Sequence, residues 1–243
     1  MLNVGFKSDR GQCRSLNEDA VFVLPGHQLY IVADGVGGHN AGDLASRLAV
    51  ESIADYVNSR PADPDSTLAQ LKEYFLDCYS KANEKIYSMA SQPGSSYGMA
   101  TTCVSCFVRK DQAYVVNVGD SRAYLIRDGR LSQISVDHSR VQELVDSGLI
   151  TKEEAMMRPD RNMITRALGG DPVVQPDFFS FTIYPGDTIL LCTDGLYSEL
   201  SGARMAALCS RYKTMHRLTK QLVDEANANG GRDNISVVCI RVQ

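Results

Sequence analysis

The stretch TTCVSCFVRKDQAYVVNVGDSRAYLIRDGRLSQI, Thr101 to Ile134, decides the fold. It is a series of short β-rich runs divided by turn signals. Lys110-Asp111 separates two of them, and Asp128-Gly129 lies between Leu125-Ile126 and Leu131. An Asp-Gly pair flanked by apolar residues is a strong hairpin signal, so these runs are expected to form an antiparallel meander.

Working outward, the N-terminal stretch reads as polar and turn-rich as far as Asp19. Ala20–Leu24 and Leu29–Ala33 then read as two strands joined at Pro25-Gly26. Leu44, Ala45, Leu48, Ala49, Ile53, Tyr56 and Val57 recur at helical spacing. A second amphipathic helix carries Leu68, Leu71, Phe75, Tyr79, Ala82, Ile86 and Met89, with Asp65 or Ser66 placed to cap it. Beyond the meander, residues 137–168 are polar and helix-prone, parted at Gly148 and turned at Pro159. Strands are expected at Phe178–Ile183, Ile189–Cys192 and 235–242, with a helical stretch over 203–228. The strands meet mostly through hairpins instead of regular βαβ crossovers. That pattern favours an α+β fold of antiparallel sheets covered by helices. No repeat or linker divides the chain, so residues 1–243 are read as one domain.

Of the 243 residues, 44% are hydrophobic and 22% charged, and the net charge is −4. Without a Lys/Arg run, nucleic acid is disfavoured as the main partner, because binding to phosphate backbones relies on clustered basic charge. No apolar stretch has membrane-spanning length and the N-terminus lacks a signal-peptide core, so a cytoplasmic protein is expected. Seven scattered cysteines fit reduced, buried thiols. Cys103 and Cys106 are three apart within a strand and point to opposite faces, so one metal ion could not take both.

The chemistry-bearing residues gather at strand ends. Asp34-Gly35 follows the run Leu29–Ala33, Asp194-Gly195 follows Thr188–Thr193, and Asp233 precedes Ile235–Ile240. Carboxylates converging above a sheet repel one another unless a cation lies between them, which points to a polynuclear metal site. The Gly-rich loop Gly35–Gly42 departs from both nucleotide-binding patterns. Asn40 stands where the dinucleotide fingerprint needs its third glycine, and Asp43-Leu44 where a phosphate loop needs Lys-Ser/Thr.

Taken in order, the chain has Ser8-Asp-Arg-Gly11, Arg14-Ser-Leu-Asn-Glu-Asp19, Val32-Ala-Asp-Gly-Val-Gly-Gly-His39 and Gly98-Met-Ala-Thr-Thr102. Val118-Gly-Asp-Ser-Arg122, Cys192-Thr-Asp-Gly195 and Gly231-Arg-Asp-Asn234 follow. Seven motifs in this order and spacing, from about Asn3 to Val242, resemble the metal-dependent PPM, or PP2C, protein phosphatases. The match is to the compact bacterial members that reverse serine/threonine kinases. The resemblance implies a four-layer α-β-β-α sandwich of two antiparallel sheets, and hydrolysis of phosphoserine and phosphothreonine without a covalent intermediate. It implies two catalytic Mn²⁺ or Mg²⁺ ions held by Asp34, the Gly35 carbonyl, Asp194 and Asp233, with Glu18 and Asp19 acting through metal-bound waters. Asp120 with Asp194 resembles a third metal site, and Arg14 the residue that grips the substrate phosphate. Hard oxygen donors suit either ion. Two ions about 3.5–4 Å apart can hold a bridging water and aim the resulting hydroxide at phosphorus.

The implied partners are phosphorylated proteins, a Ser/Thr kinase and its substrates, met by a monomer. The alternative is a catalytically weak phosphoprotein-binding regulator of the same fold, against which all three acids Asp34, Asp194 and Asp233 are retained. Residues 137–168 match the flap of bacterial relatives. Arg122 is read as pairing with a structural carboxylate or touching substrate, and His138 as capping the helix after it or reaching the active site. Val36 stands where eukaryotic members carry a histidine, which leaves His39 or a water as the general acid.

Overall fold

Among the residues that the computed structural model describes, 1–37, 41–94 and 97–243, eleven strands and seven α-helices alternate along the chain. In order they are β1 (Leu2–Asp9), β2 (Asp19–Leu24), β3 (Leu29–Val36), α1 (Ala41–Ser59), α2 (Leu68–Ala90), β4 (Ala100–Thr101) and β5 (Cys103–Arg109). Next come β6 (Gln112–Val118), β7 (Arg122–Arg127), β8 (Arg130–Gln133), α3 (Arg140–Asp146), α4 (Lys152–Met157) and β9 (Asp177–Thr182). The chain ends with β10 (Thr188–Cys192), α5 (Asp194–Tyr197), α6 (Gly202–Arg211), α7 (Met215–Ala228) and β11 (Ile235–Val242).

One sheet runs β1-β11-β10-β7-β8 and the other β2-β3-β5-β6-β9, with the short β4 paired to β3. Every strand pair is antiparallel. The architecture is the four-layer α-β-β-α sandwich. Alternate residues of each central strand feed different cores. Leu29, Ile31 and Ala33 of β3 pack under α1 and α2, while Tyr30 and Val32 enter the layer between the sheets. In β11, Ile235, Val237 and Cys239 meet α6 and α7, while Val238 and Ile240 meet the opposite sheet. A strand buried on both faces reads as an unbroken apolar run, which is why these segments lack polar alternation. Cys103 lies on the helix side of β5 and Cys106 on the inter-sheet side, and all seven thiols are free.

Three expectations change. The polar N-terminal stretch contains a full strand, β1, paired residue for residue with β11 from Leu2↔Val242 to Asp9↔Ile235. As an edge strand it is only half-buried, so it lacks the continuous apolar run that marks the interior strands. The cap of α2 is Thr67, where Thr67 and Gln70 form a reciprocal capping box. The helical stretch over 203–228 is two helices broken at 212–214. Arg241 donates to the Cys209 and Tyr212 carbonyls at the end of α6, at 2.6 and 3.0 Å. β3 continues through Asp34 and Gly35 to Val36 and pairs Gly35 with Thr101.

Candidate active site

Antiparallel pairing brings the strand-end acids to one end of the sandwich. Asp19 opens β2, Asp34 lies near the end of β3, and Asp120 follows β6. On the other sheet Asp194 follows β10 and Asp233 precedes β11. Asp34, Asp120, Asp194 and Asp233 line a cleft of about 290 Å³ together with Arg14, Glu18, Gly35, Val36, Gly37, Thr102, Asn162, Ile164 and Asn234. Asp19 stands behind this wall. It is buried, and its Oδ2 accepts the Thr193 hydroxyl at 2.9 Å.

The backbone around Asp34 is fixed by the two threonines of the Gly98–Thr102 motif. The Asp34 N–H donates to Thr102 Oγ1 at 3.0 Å. Its carbonyl accepts from the Thr102 N–H at 2.9 Å and from the Thr101 hydroxyl at 2.8 Å. A β-carbon at Gly35 would lie 2.1 Å from the Gly42 carbonyl oxygen, so only glycine fits between β3 and the start of α1. Asn234 staples the loop that carries Arg14. Its Nδ2 donates to the Arg10 and Leu16 carbonyls at 2.9 and 2.8 Å, and its Oδ1 accepts the Glu18 N–H at 2.8 Å. Gly195 also has a fixed reason, since a β-carbon there would lie 2.0 Å from the Asn234 carbonyl oxygen.

Burial raises the acids and their mutual repulsion raises them further. Asp34 is held well above the usual carboxylate range by burial, then by Asp19, Asp194, Asp120 and Asp233. Burial pushes Asp19 up to about 8, Asp120 to about 7 and Asp194 to about 6, with neighbouring carboxylates adding to each. Two cations act against this, Arg122 on Asp120 and Asp194, and Arg14 on Asp194. Arg14, half-exposed, donates to Asp233 Oδ2 at 2.7 Å. Two carboxylate oxygens, Asp19 Oδ1 and Asp194 Oδ1, are buried without any hydrogen-bond partner. Orphaned buried oxygens in a cluster of like charge fit a hard divalent cation, and among the described residues the cleft lining carries neither His nor Cys. No three His, Cys, Asp or Glu side chains among the described residues close into a cage around one point. Like charges resist closing without an ion between them.

Arg122 takes the structural role. It makes a bidentate pair with Asp137, with contacts of 2.6 to 3.0 Å, and stacks 3.6 Å over the Tyr197 ring. The Tyr197 hydroxyl in turn donates to the Asp120 carbonyl at 3.0 Å. His138 is not the cap of α3, for the Ser139 hydroxyl accepts the Gln142 N–H and the buried His138 ring turns toward the loop after β6. His39 lies outside the described residues. Asn162 and Ile164 bring the 137–168 segment to the cleft. The sequence reading gave no role to Asn162, Ile164, Thr102, Tyr197 or Asn234. Of these, Thr102 and Asn234 sit inside the quoted motifs, the one signal available.

The family model described as protein phosphatase 2C matches residues 11–231. The chain is 36% identical over 242 residues to the serine/threonine phosphatase stp of Listeria innocua, covering 98% of this chain and 95% of that one. It superposes on the S. agalactiae serine/threonine phosphatase with a TM-score of 0.92 at 33% identity, over 100% of both chains. The catalytic domain of the serine/threonine protein phosphatase PstP, in complex with two manganese ions, gives 0.86 at 34% identity, over 100% of this chain and 99% of that one.

Proposed function

Because this chain belongs to the protein phosphatase 2C family and is a serine/threonine phosphatase, we propose that the acid-lined cleft at the shared end of the two sheets is its catalytic site. One observation carries the reading. Asp34, Asp120, Asp194 and Asp233 converge on a single cleft, with the Arg14 guanidinium 2.7 Å from the Asp233 carboxylate.

In this reading Asp34, Gly35, Asp194 and Asp233 hold two divalent cations, Glu18 and Asp19 act through waters, and Asp120 with Asp194 serves a third. The orphaned oxygens of Asp19 and Asp194 support it, as does the manganese in PstP. Mn²⁺ and Mg²⁺ both suit an all-oxygen donor set. When bound, such ions neutralise the carboxylates and activate water for in-line attack on phosphorus.

The chain's own residues do the rest. Arg14 presents a planar fork that matches two phosphate oxygens, and Asp233 orients it. Thr101 and Thr102 hold the Asp34 backbone, while Val36, Asn162 and Ile164 form the wall that a substrate side chain meets. Burial holds the Cys78, Cys103, Cys106, Cys192, Cys209 and Cys239 thiols above their usual range, so none of these is a nucleophile. No helix among the described residues is long and apolar enough to cross a membrane. The proposal extends to a monomer in the cytosol acting on the products of a Ser/Thr kinase, the reaction class that supplies phosphoserine and phosphothreonine.

Phosphate release from a phosphothreonine peptide tests the site. Release is expected with Mn²⁺, is expected to stop in EDTA, and is expected to collapse in Asp194→Asn. Metal-independent turnover, or a full rate in Asp194→Asn, overturns the assignment.

A further inference from the structure

We propose that His138 is a positioning residue that fixes the Gly119-Asp120 loop through its Nδ1 lone pair and ties that loop to both stems of the 137–168 segment. The ring is 4% exposed. The Gly119 N–H donates to His138 Nδ1 at 3.1 Å, and the His138 N–H donates back to the Gly119 carbonyl at 3.0 Å. This two-bond clasp lies one residue before Asp120. The His138 carbonyl accepts the Thr165 N–H at 2.8 Å, and Ser139 bridges to Ile164, so the outgoing and returning stems meet at this residue.

The other ring nitrogen fixes the tautomer. Nδ1 accepts a hydrogen bond, so the proton resides on Nε2, which faces Asp177 Oδ2 at 3.2 Å. Arg166 NH1 is 3.1 Å from Nε2, but two donors cannot bond each other. Arg166 instead donates to Asp177 Oδ1 at 3.3 Å and to the Gln175 carbonyl at 3.2 Å. A carboxylate on one nitrogen that sets the role of the other is a recurrent way to aim an imidazole. Burial, the largest influence on the ring, lowers its pKa and keeps it neutral with the Nδ1 lone pair available. Asp120 is thus held from two sides, by His138 through Gly119 and by the Tyr197 hydroxyl on its own carbonyl.

The inference rests on the assignment of Asp120 to the catalytic cleft, and asparagine and glutamine test it. Asparagine reproduces the position of Nδ1, and glutamine that of Nε2 while being nearer to histidine in volume. With Mn²⁺ and a phosphothreonine peptide, His138→Gln is expected to lower kcat roughly 10-fold with KM within about twofold, and His138→Asn to stay within about threefold of the parent. Hydrogen exchange over 119–121 in EDTA is expected to accelerate in His138→Gln and to stay slow in His138→Asn. Nitrogen-15 spectra of the parent are expected to show Nε2 protonated and Nδ1 bare, a readout that needs no variant to fold. Equal effects of the two substitutions, the reverse order, or a protonated Nδ1 overturns the proposal. Asp120→Asn separates the two readings. If it retains full activity, the role of Asp120 falls, while hydrogen exchange still judges His138.

Discussion

Asp19 and Asp34 are register partners across β2 and β3, so two carboxylates face each other on one side of a sheet. Direct cross-strand neighbours have β-carbons about 4.5–5.5 Å apart, and like charges in that position are destabilising. Asp194, from the other sheet, adds its charge to the repulsion on Asp34. The fold therefore carries an electrostatic fault at this end of the sandwich, and divalent cations bound there would relieve it.

The first consequence is a pH-dependent stability of the metal-free protein. Asp19, Asp120 and Asp194 have folded-state pKa values raised to about 8, about 7 and about 6. The folded chain then holds more protons than the unfolded chain, so stability is full at acid pH and is lost as pH rises through these values. In EDTA the Tm is expected to fall by roughly 5 °C or more between pH 5.5 and 8.5. Saturating Mn²⁺ is expected to remove most of that fall. A metal-free Tm that rises with pH would contradict the repulsion among these carboxylates.

Neutralising one member of the cluster should separate stability from activity. Asp34→Asn removes the acid on which four other carboxylates press. The variant is expected to melt higher than the parent in EDTA, while its kcat with Mn²⁺ falls by about 100-fold or more, as for loss of a main electrostatic group. Parallel thermal melts and phosphate-release assays decide the matter.

Arg14→Ala is expected to weaken phosphate binding more than turnover, raising KM more than it lowers kcat. Its pair with Asp233 is half-exposed on the arginine side, so the loss of stability should stay below about 1 kcal/mol. A fall in kcat at constant KM would remove Arg14 from substrate binding.

Asn234→Ala breaks three hydrogen bonds, to Arg10, Leu16 and Glu18, and leaves those backbone groups without their partner. At about 0.5–1.5 kcal/mol for each bond, urea melts should show a loss of roughly 2–4 kcal/mol. KM should rise as well, because the loop bearing Arg14 loosens. Unchanged protease resistance of residues 10–18 would show that the staple is dispensable.

Gly195→Ala should destabilise strongly although alanine is the better helix former by about 1 kcal/mol. Its β-carbon would collide with the Asn234 carbonyl at 2.0 Å, and overpacking of this kind costs about 1–3 kcal/mol or more. Gly26→Ala is the control, for nothing lies within 4 Å of a β-carbon there. Equal melting curves for the two variants would refute the clash.

The sequence by itself determined the antiparallel sheets and pointed to the chemistry, and the layers came from the family resemblance of its motifs. Apolar runs such as Leu29–Ala33 and Ile235–Ile240, the latter interrupted only by Ser236, announce core strands, Asp128-Gly129 announces the hairpin that makes the meander antiparallel, and the strand-end acids point to a cation site. It did not show β1, whose half-buried edge position leaves no apolar run to read.

Only the tertiary structure decided which loops meet. Asn234 reaches Arg10 across 224 positions, Asp19 reaches Thr193 across 174, and His138 receives the Gly119 N–H across 19. It also decided that Gly195 is required by a neighbouring carbonyl and that His138 turns inward, leaving the cap of α3 to Ser139. Periodicity and turn chemistry are properties of neighbours along the chain, so a sequence displays them. A hydrogen bond between distant loops depends on how two sheets are stacked, and no local pattern encodes that.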